Sequence, residues 1–335
     1  MNLYLGIDMK NILFSIKRSC LLTFILSVLA LSDSAHELTK KEYWLDYLQD
    51  KSTNYGYFED LGFLFVSDKS IPNLTLYKIK NFQLEEIQSS SALVAEGLGS
   101  KKKEGDMTTP IGVYNINNRY TKLDQYYGGL ALSTTYPNAY DRSLKRTGSG
   151  IWIHGKPLNG DRKELHTRGC IVIENDLLHK YDKIVNWRDS SLLVYESELA
   201  IVTKDELATL LAFIYQYKQA LESGENRAFK FYDKSFKDIN GNNLATFWNA
   251  KQKELAKMKQ PLAFTKINIF IYPNDSNRRL FRISFNWSNE KHDSKSYDNS
   301  NATKILNTSK TTLLSGKVEL YVALQDSNPN IISQK

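Results

Sequence analysis

The chain has 335 residues, enough for two domains of ordinary size. With 41% hydrophobic and 24% charged residues, it has the balance of a soluble globular protein and not of a disordered or low-complexity chain. A net charge of +7 fits a polyanionic neighbour such as nucleic acid, a membrane surface or a cell wall, and charge alone does not choose among them.

In chain order, Lys10, Lys17 and Arg18 precede an apolar run from Cys20 to Leu31. The run is too short for a comfortable membrane span and suits the core of a signal peptide. Ala30 and Ser32, or Ser34 and Ala35, supply small residues for cleavage. Residues 1–35 therefore read as a signal peptide, with an uncleaved anchor as the alternative. Met9-Lys10-Asn11 is a more conventional start, so residues 1–8 read as preceding it. Loss of Cys20 with the signal leaves Cys170 as the single thiol of an exported chain, where disulfides are normal. Such a cysteine is reactive, bonded to another molecule, or buried and inert.

Leu38 to Tyr47 reads as a short amphipathic helix with Trp44, Leu45 and Leu48 on one side, within an N-terminal helical element over residues 36–60. Strands are expected at Gly62–Val66, Leu74–Ile79 and Phe82–Ile87, separated by turn compositions. Residues 91–150 are rich in Gly and Ser and show no long helical period. Strands return at Gly150–His154, Cys170–Ile173 and Leu192–Tyr195. A helix opens at Thr203, where Thr203 and Glu206 form a capping box, and Gly224 lies beyond its end. Two short helices are expected within residues 226–260. Alternating strands then follow around Ile267–Ile271, Phe281–Trp287 and Val318–Leu324, with Ser288–Lys310 as a polar loop. Helices followed by a half-buried antiparallel sheet indicate an α+β domain over residues 202–335.

Two segments carry chemistry. One is Gly105-Asp106 through Thr109-Pro110 to Gly112, after the basic run Lys101–Lys103. The other joins Trp152 and His154-Gly155 to Thr167-Arg168-Gly169-Cys170. A protonated thiol is a poor nucleophile, so Cys170 needs a neighbour that removes its proton, and paired strands bring His154 to it. Gly169 lets backbone approach the sulfur.

Together these segments resemble the L,D-transpeptidase catalytic domain (the YkuD family). The resemblance covers residues 61–201 and implies a mainly β catalytic domain. It implies Cys170 as nucleophile, His154 as base and the Gly169 carbonyl as the group that orients the imidazole. Two positions depart from the family pattern: Arg168 stands where His is frequent, and Val172 where Arg is frequent. The lost charge at 172 bears on substrate positioning, which Arg168 is placed to supply. Thr167, Arg168, Trp152 and Ile171 are the candidate substrate-binding residues. A zinc set of His166, His154 and Cys170 lacks an evident fourth ligand, and the reaction calls for no metal or cofactor. Asp106 reads as a turn cap.

The resemblance implies peptidoglycan stem peptide as partner, no nucleic acid, and a periplasmic location. Cys170 would form a thioester with release of D-alanine. Attack by water gives an L,D-carboxypeptidase, and attack by an amine gives an L,D-transpeptidase. The second domain resembles an NTF2-like pocket domain of unknown ligand. That order looks like the cell-shape-determining L,D-carboxypeptidases of helical and curved bacteria, and the carboxypeptidase outcome is favoured. By analogy with that group, the Trp44 helix and following strands are a candidate homodimer surface. A wall-binding scaffold with a vestigial thiol is the remaining alternative.

Overall fold

The computed structural model describes residues 36–160, 166–223, 226–256, 261–276, 278–289 and 314–335. The expected signal segment, Gly224 and most of the Ser288–Lys310 stretch lie outside these.

An eight-stranded sheet is built from β2 (Phe63–Asp68), β3 (Asn73–Lys80), β4 (Gln83–Ser91), β5 (Gly112–Tyr120), β6 (Ala131–Thr134), β7 (Trp152–Gly155), β8 (Ile171–Ile173) and β9 (Ser190–Tyr195). Its spatial order is β4-β3-β2-β9-β5-β6-β7-β8. The Gly- and Ser-rich region thus contains two strands that its composition hid, because β5 and β6 take their hydrogen bonds from sheet neighbours rather than from local periodicity. After β6, Ala139–Ser143 forms a single helical turn (α2) that Asn138 and Asp141 cap reciprocally. Helix α3 (Asn175–Ile184) was also not anticipated.

Strand alternation gives the sheet two buried faces. Phe65, Ile153, Ile171, Leu192 and Val194 join Leu178 and Tyr181 of α3 in one core. Leu64, Val66, Val113 and Leu193 point the other way, into a core that also contains Leu207, Leu210, Leu211 and Ile214 of helix α4 (Lys204–Glu222). The capping box that opens α4 is present as expected: Thr203 Oγ1 accepts the Glu206 N–H at 3.2 Å, and Glu206 accepts the Thr203 N–H at 2.8 Å.

The second sheet is antiparallel, ordered β1-β10-β11-β12-β13, where β1 is Gly56–Phe58, β10 is Ala263–Ile271, β11 is Leu280–Ser288, β12 is Ser315–Gln325 and β13 is Asn328–Gln334. Helix α5 (Leu244–Leu255) and a 3-10 helix, Asn226–Phe231, accompany it. Two expectations need correction. The N-terminal element is not separate. Strand β1 pairs with β10, and Trp44 of α1 (Lys41–Tyr47) stacks on Tyr215 of α4 at 5.5 Å between ring centres. Trp44 is thereby buried within the chain. Nor is the sheet half-solvated: Arg282 and Ser284, on the polar face of β11, are buried. That face meets the first sheet, and Arg282 donates to Asn115 of β5 at 3.0 Å.

Within the second domain, Tyr217, Leu262, Phe264, Phe285 and Trp287 border a cavity of about 10 Å³, room for roughly one water. Phe264 stacks there on Phe285 at 4.3 Å. Larger cavities, about 470 and 230 Å³, lie where the two sheets meet.

Candidate active site

Cys170 immediately precedes β8, and His154 lies in β7. The strands run parallel, with Ile153 opposite Ile171 and His154 opposite Val172. Extending this register sets Cys170 opposite Trp152, and the two-residue strand period puts Trp152, His154 and Cys170 on one face. Ile171, which faces the other way, is fully buried in the core beside α3, so its side chain does not reach substrate as expected. Val172 is equally buried.

The three residues line a groove of about 580 Å³, bounded also by Lys101, Glu104, Tyr127, Gly150 and Arg168. Cys170 is half-buried, and its Sγ donates to the Gly150 carbonyl at 3.3 Å. A carbonyl only accepts, so this contact belongs to the resting thiol.

His154 is 2% exposed, and its Nδ1 lies 2.8 Å from the Gly155 carbonyl. Since that oxygen has no proton to give, Nδ1 carries the hydrogen and Nε2 is the basic nitrogen. The orienting carbonyl is thus that of Gly155, not Gly169, because the imidazole sits beside its own strand's end. Gly155 itself must lack a side chain: an added Cβ would fall 1.8 Å from Oδ1 of Asn175, the first residue of α3.

Gly169 has a different task. Its φ is +133°, and an added Cβ would lie 2.7 Å from Ile151 Cδ1 and 3.0 Å from the Thr108 carbonyl. The two segments singled out in the sequence meet here. Asp106 organises the first of them as the expected turn cap. It accepts Lys101 Nζ at 2.6 Å and the Lys102 and Lys103 N–H groups at 2.7 and 3.0 Å. Burial pushes its carboxyl up, but these donors outweigh burial and hold it below the usual range. Lys101, from the basic run, is buried in this pairing.

Thr167 borders the groove, yet its hydroxyl is engaged within the loop. It donates to the Cys170 carbonyl at 2.7 Å and accepts the Gly169 N–H at 3.1 Å. It braces the loop that carries Cys170. Arg168 is exposed at the groove. His166 lies 3.9 Å from Glu96 in an exposed pair.

The sequence reading missed the aromatic wall. Tyr127 stands edge-on to His154 at 5.1 Å and touches Trp152 at 5.1 Å, with Tyr120 on Trp152 at 5.3 Å. Burial, then the charge of an ionised Cys170, push the Tyr127 phenol up. Only the pair Tyr126-Tyr127 ahead of Gly128-Gly129 hinted at it in the sequence.

Comparison with known proteins assigns the two halves. The YkuD L,D-transpeptidase catalytic domain matches residues 70–189, and the Cds6 C-terminal NTF2-like domain matches residues 209–335. The chain therefore carries a strand-rich L,D-transpeptidase-type domain joined to an NTF2-like domain. Among solved structures it is similar to the helical cell shape determining protein Pgp2 of Campylobacter jejuni. They are 29% identical with a TM-score of 0.77, over 89% of this chain and 100% of that one. Bd1075 of Bdellovibrio bacteriovorus shares the fold at 20% identity and a TM-score of 0.61, over 85% of this chain and 96% of that one. YafK of Escherichia coli K12, placed by its name among the L,D-transpeptidases, is 39% identical over 59 residues. That match spans 18% of this chain and 24% of YafK's length.

Proposed function

We propose that the protein is a peptidoglycan L,D-carboxypeptidase that removes D-alanine from the stem tetrapeptide and contributes to cell shape. The observation that carries this reading is the shared strand face of Cys170 and His154 in an open groove, with Nδ1 committed to a carbonyl. In this reading His154 Nε2 takes the thiol proton, and the Cys170 sulfur attacks the carbonyl of the L-centre. The Cys170 backbone N–H receives the oxyanion, and His154 returns the proton to the departing D-alanine amine. Water, activated by the same nitrogen, then hydrolyses the thioester and restores the thiol. Similarity to Pgp2, a helical cell shape determining protein, supports the link to cell shape, and the family match supports peptidoglycan as substrate. Export to the periplasm belongs to the same reading, on the basic-then-apolar pattern of Lys10 to Leu31.

The test is incubation of wild type and Cys170→Ala with disaccharide-tetrapeptide, with products weighed by mass spectrometry. Loss of one D-alanine in the wild type only is the expected result, with Cys170→Ala reduced by at least about a thousandfold. A cross-linked dimer would assign transpeptidation, the outcome named by the domain match. No product on muropeptides or intact sacculi would transfer the role to wall binding.

A further inference from the structure

Asp275 lies in the turn between β10 and β11, in the half of the chain that carries no part of the catalytic motif. Its carboxylate reaches across the domain junction with both oxygens. Oδ1 accepts the Ser100 N–H at 2.7 Å, and Oδ2 accepts Arg146 at 2.9 Å. Each contact lies at the root of a segment that walls the groove. Beyond Ser100 come Lys101, Glu104 and Gly105. Beyond Arg146 come Ser149 and Gly150, whose carbonyl holds the Cys170 thiol.

Arg146 ties the two roots together. Its other nitrogen donates to both Ser100 Oγ and the buried Asp141, each at 2.9 Å. The further tethers of the first segment come from the catalytic half: Lys69 on the Gly97 and Gly99 carbonyls at 2.8 and 2.6 Å, and Tyr136 on the Lys101 carbonyl at 3.2 Å. Gly99, next to Ser100, has φ +69°, a left-handed conformation that favours glycine. A single carboxylate from the second domain therefore bridges the two loops on one side of the groove.

We propose that Asp275 is a positioning residue through which the NTF2-like domain sets the groove walls and the environment of the Cys170 thiol. As an effect on turnover this rests on the carboxypeptidase reading; as an effect on the thiol it does not. Displacing a groove wall by a fraction of an ångström disturbs substrate alignment and the Gly150–Cys170 contact together.

The experiment compares wild type, Asp275→Ala and Asp275→Asn in two readouts: the alkylation rate of Cys170 by iodoacetamide at neutral pH, and kcat and KM on disaccharide-tetrapeptide. Asparagine keeps an acceptor for Ser100 and loses the charge on Arg146, whereas alanine loses both. The expected result for Asp275→Ala is a change of about threefold or more in alkylation rate and a fall in kcat/KM on the order of tenfold, at an unchanged thermal midpoint. Asp275→Asn should recover part of each. Wild-type alkylation in Asp275→Ala overturns the proposal, as does a loss of activity that only tracks loss of folded protein. If wild type leaves muropeptide untouched, the carboxypeptidase reading fails, and the alkylation rates alone still decide the role of Asp275.

Discussion

At the scale of single residues, the site depends on two glycines that act for different reasons. Gly155 admits Asn175 of α3 beside the strand end whose carbonyl holds His154. Gly169 combines a positive φ with close approach to Ile151 and Thr108. Gly169→Ala places a methyl group in both contacts at once, and the nearest relief is to push the Cys170 loop away from β7. The expected outcome is a folded protein whose D-alanine release falls by about a hundredfold, measured by chromatography of the products. Wild-type turnover in this variant would show that the Thr108 contact does not position Cys170. The Gly-Cys and His-Gly pairs were legible in the sequence through their resemblance to the L,D-transpeptidase pattern. Which carbonyl serves His154 was not legible, since that depends on a ring orientation set by packing.

At the scale of elements, β11 and β12 carry the sharpest electrostatic commitment. Arg282 is fully enclosed and donates to Glu319 at 2.5 Å and to Asn115 at 3.0 Å, while its Nε is without a hydrogen-bond partner. Burial pushes the Glu319 carboxyl up, but the Arg282 charge and hydrogen bonds from Arg282 and Tyr321 outweigh it and hold it below its ordinary 4.5. A depressed carboxyl contributes stability that is complete above its ordinary range and lost as pH falls through the folded value. Glu319→Gln leaves Arg282 charged and buried, at a cost of about 3 kcal/mol in urea unfolding at pH 7. Its stability should also fall less steeply than that of wild type on acidification below pH 4.5, and an equal acid slope would show that Glu319 does not titrate as described. Strand alternation in β11 predicted the apolar face correctly. It misplaced Arg282 because a polar stripe reads the same whether it faces water or another sheet.

At the scale of the whole molecule, the chain crosses between its two halves more than its linear order suggests. Residues 36–60 supply β1 to the second sheet and the Trp44 contact to α4, and one core joins Leu64, Val66 and Leu193 to α4. A fragment of residues 202–335 therefore lacks an edge strand and exposes the α4 surface, and it is expected to show no cooperative thermal transition by circular dichroism. Supplying residues 36–60 in the same chain should restore part of it. A cooperative melt for 202–335 alone would show that the NTF2-like half is self-sufficient.

By itself the sequence determined the capped helix at Thr203 and the strand-rich character of both halves, because each rests on short-range chemistry or local periodicity. Tertiary structure decided the partner of His154, the burial of Lys101 and Arg282 and the reach of Asp275 to the groove. Each of these joins residues distant in the chain, and no local pattern records which surfaces will meet.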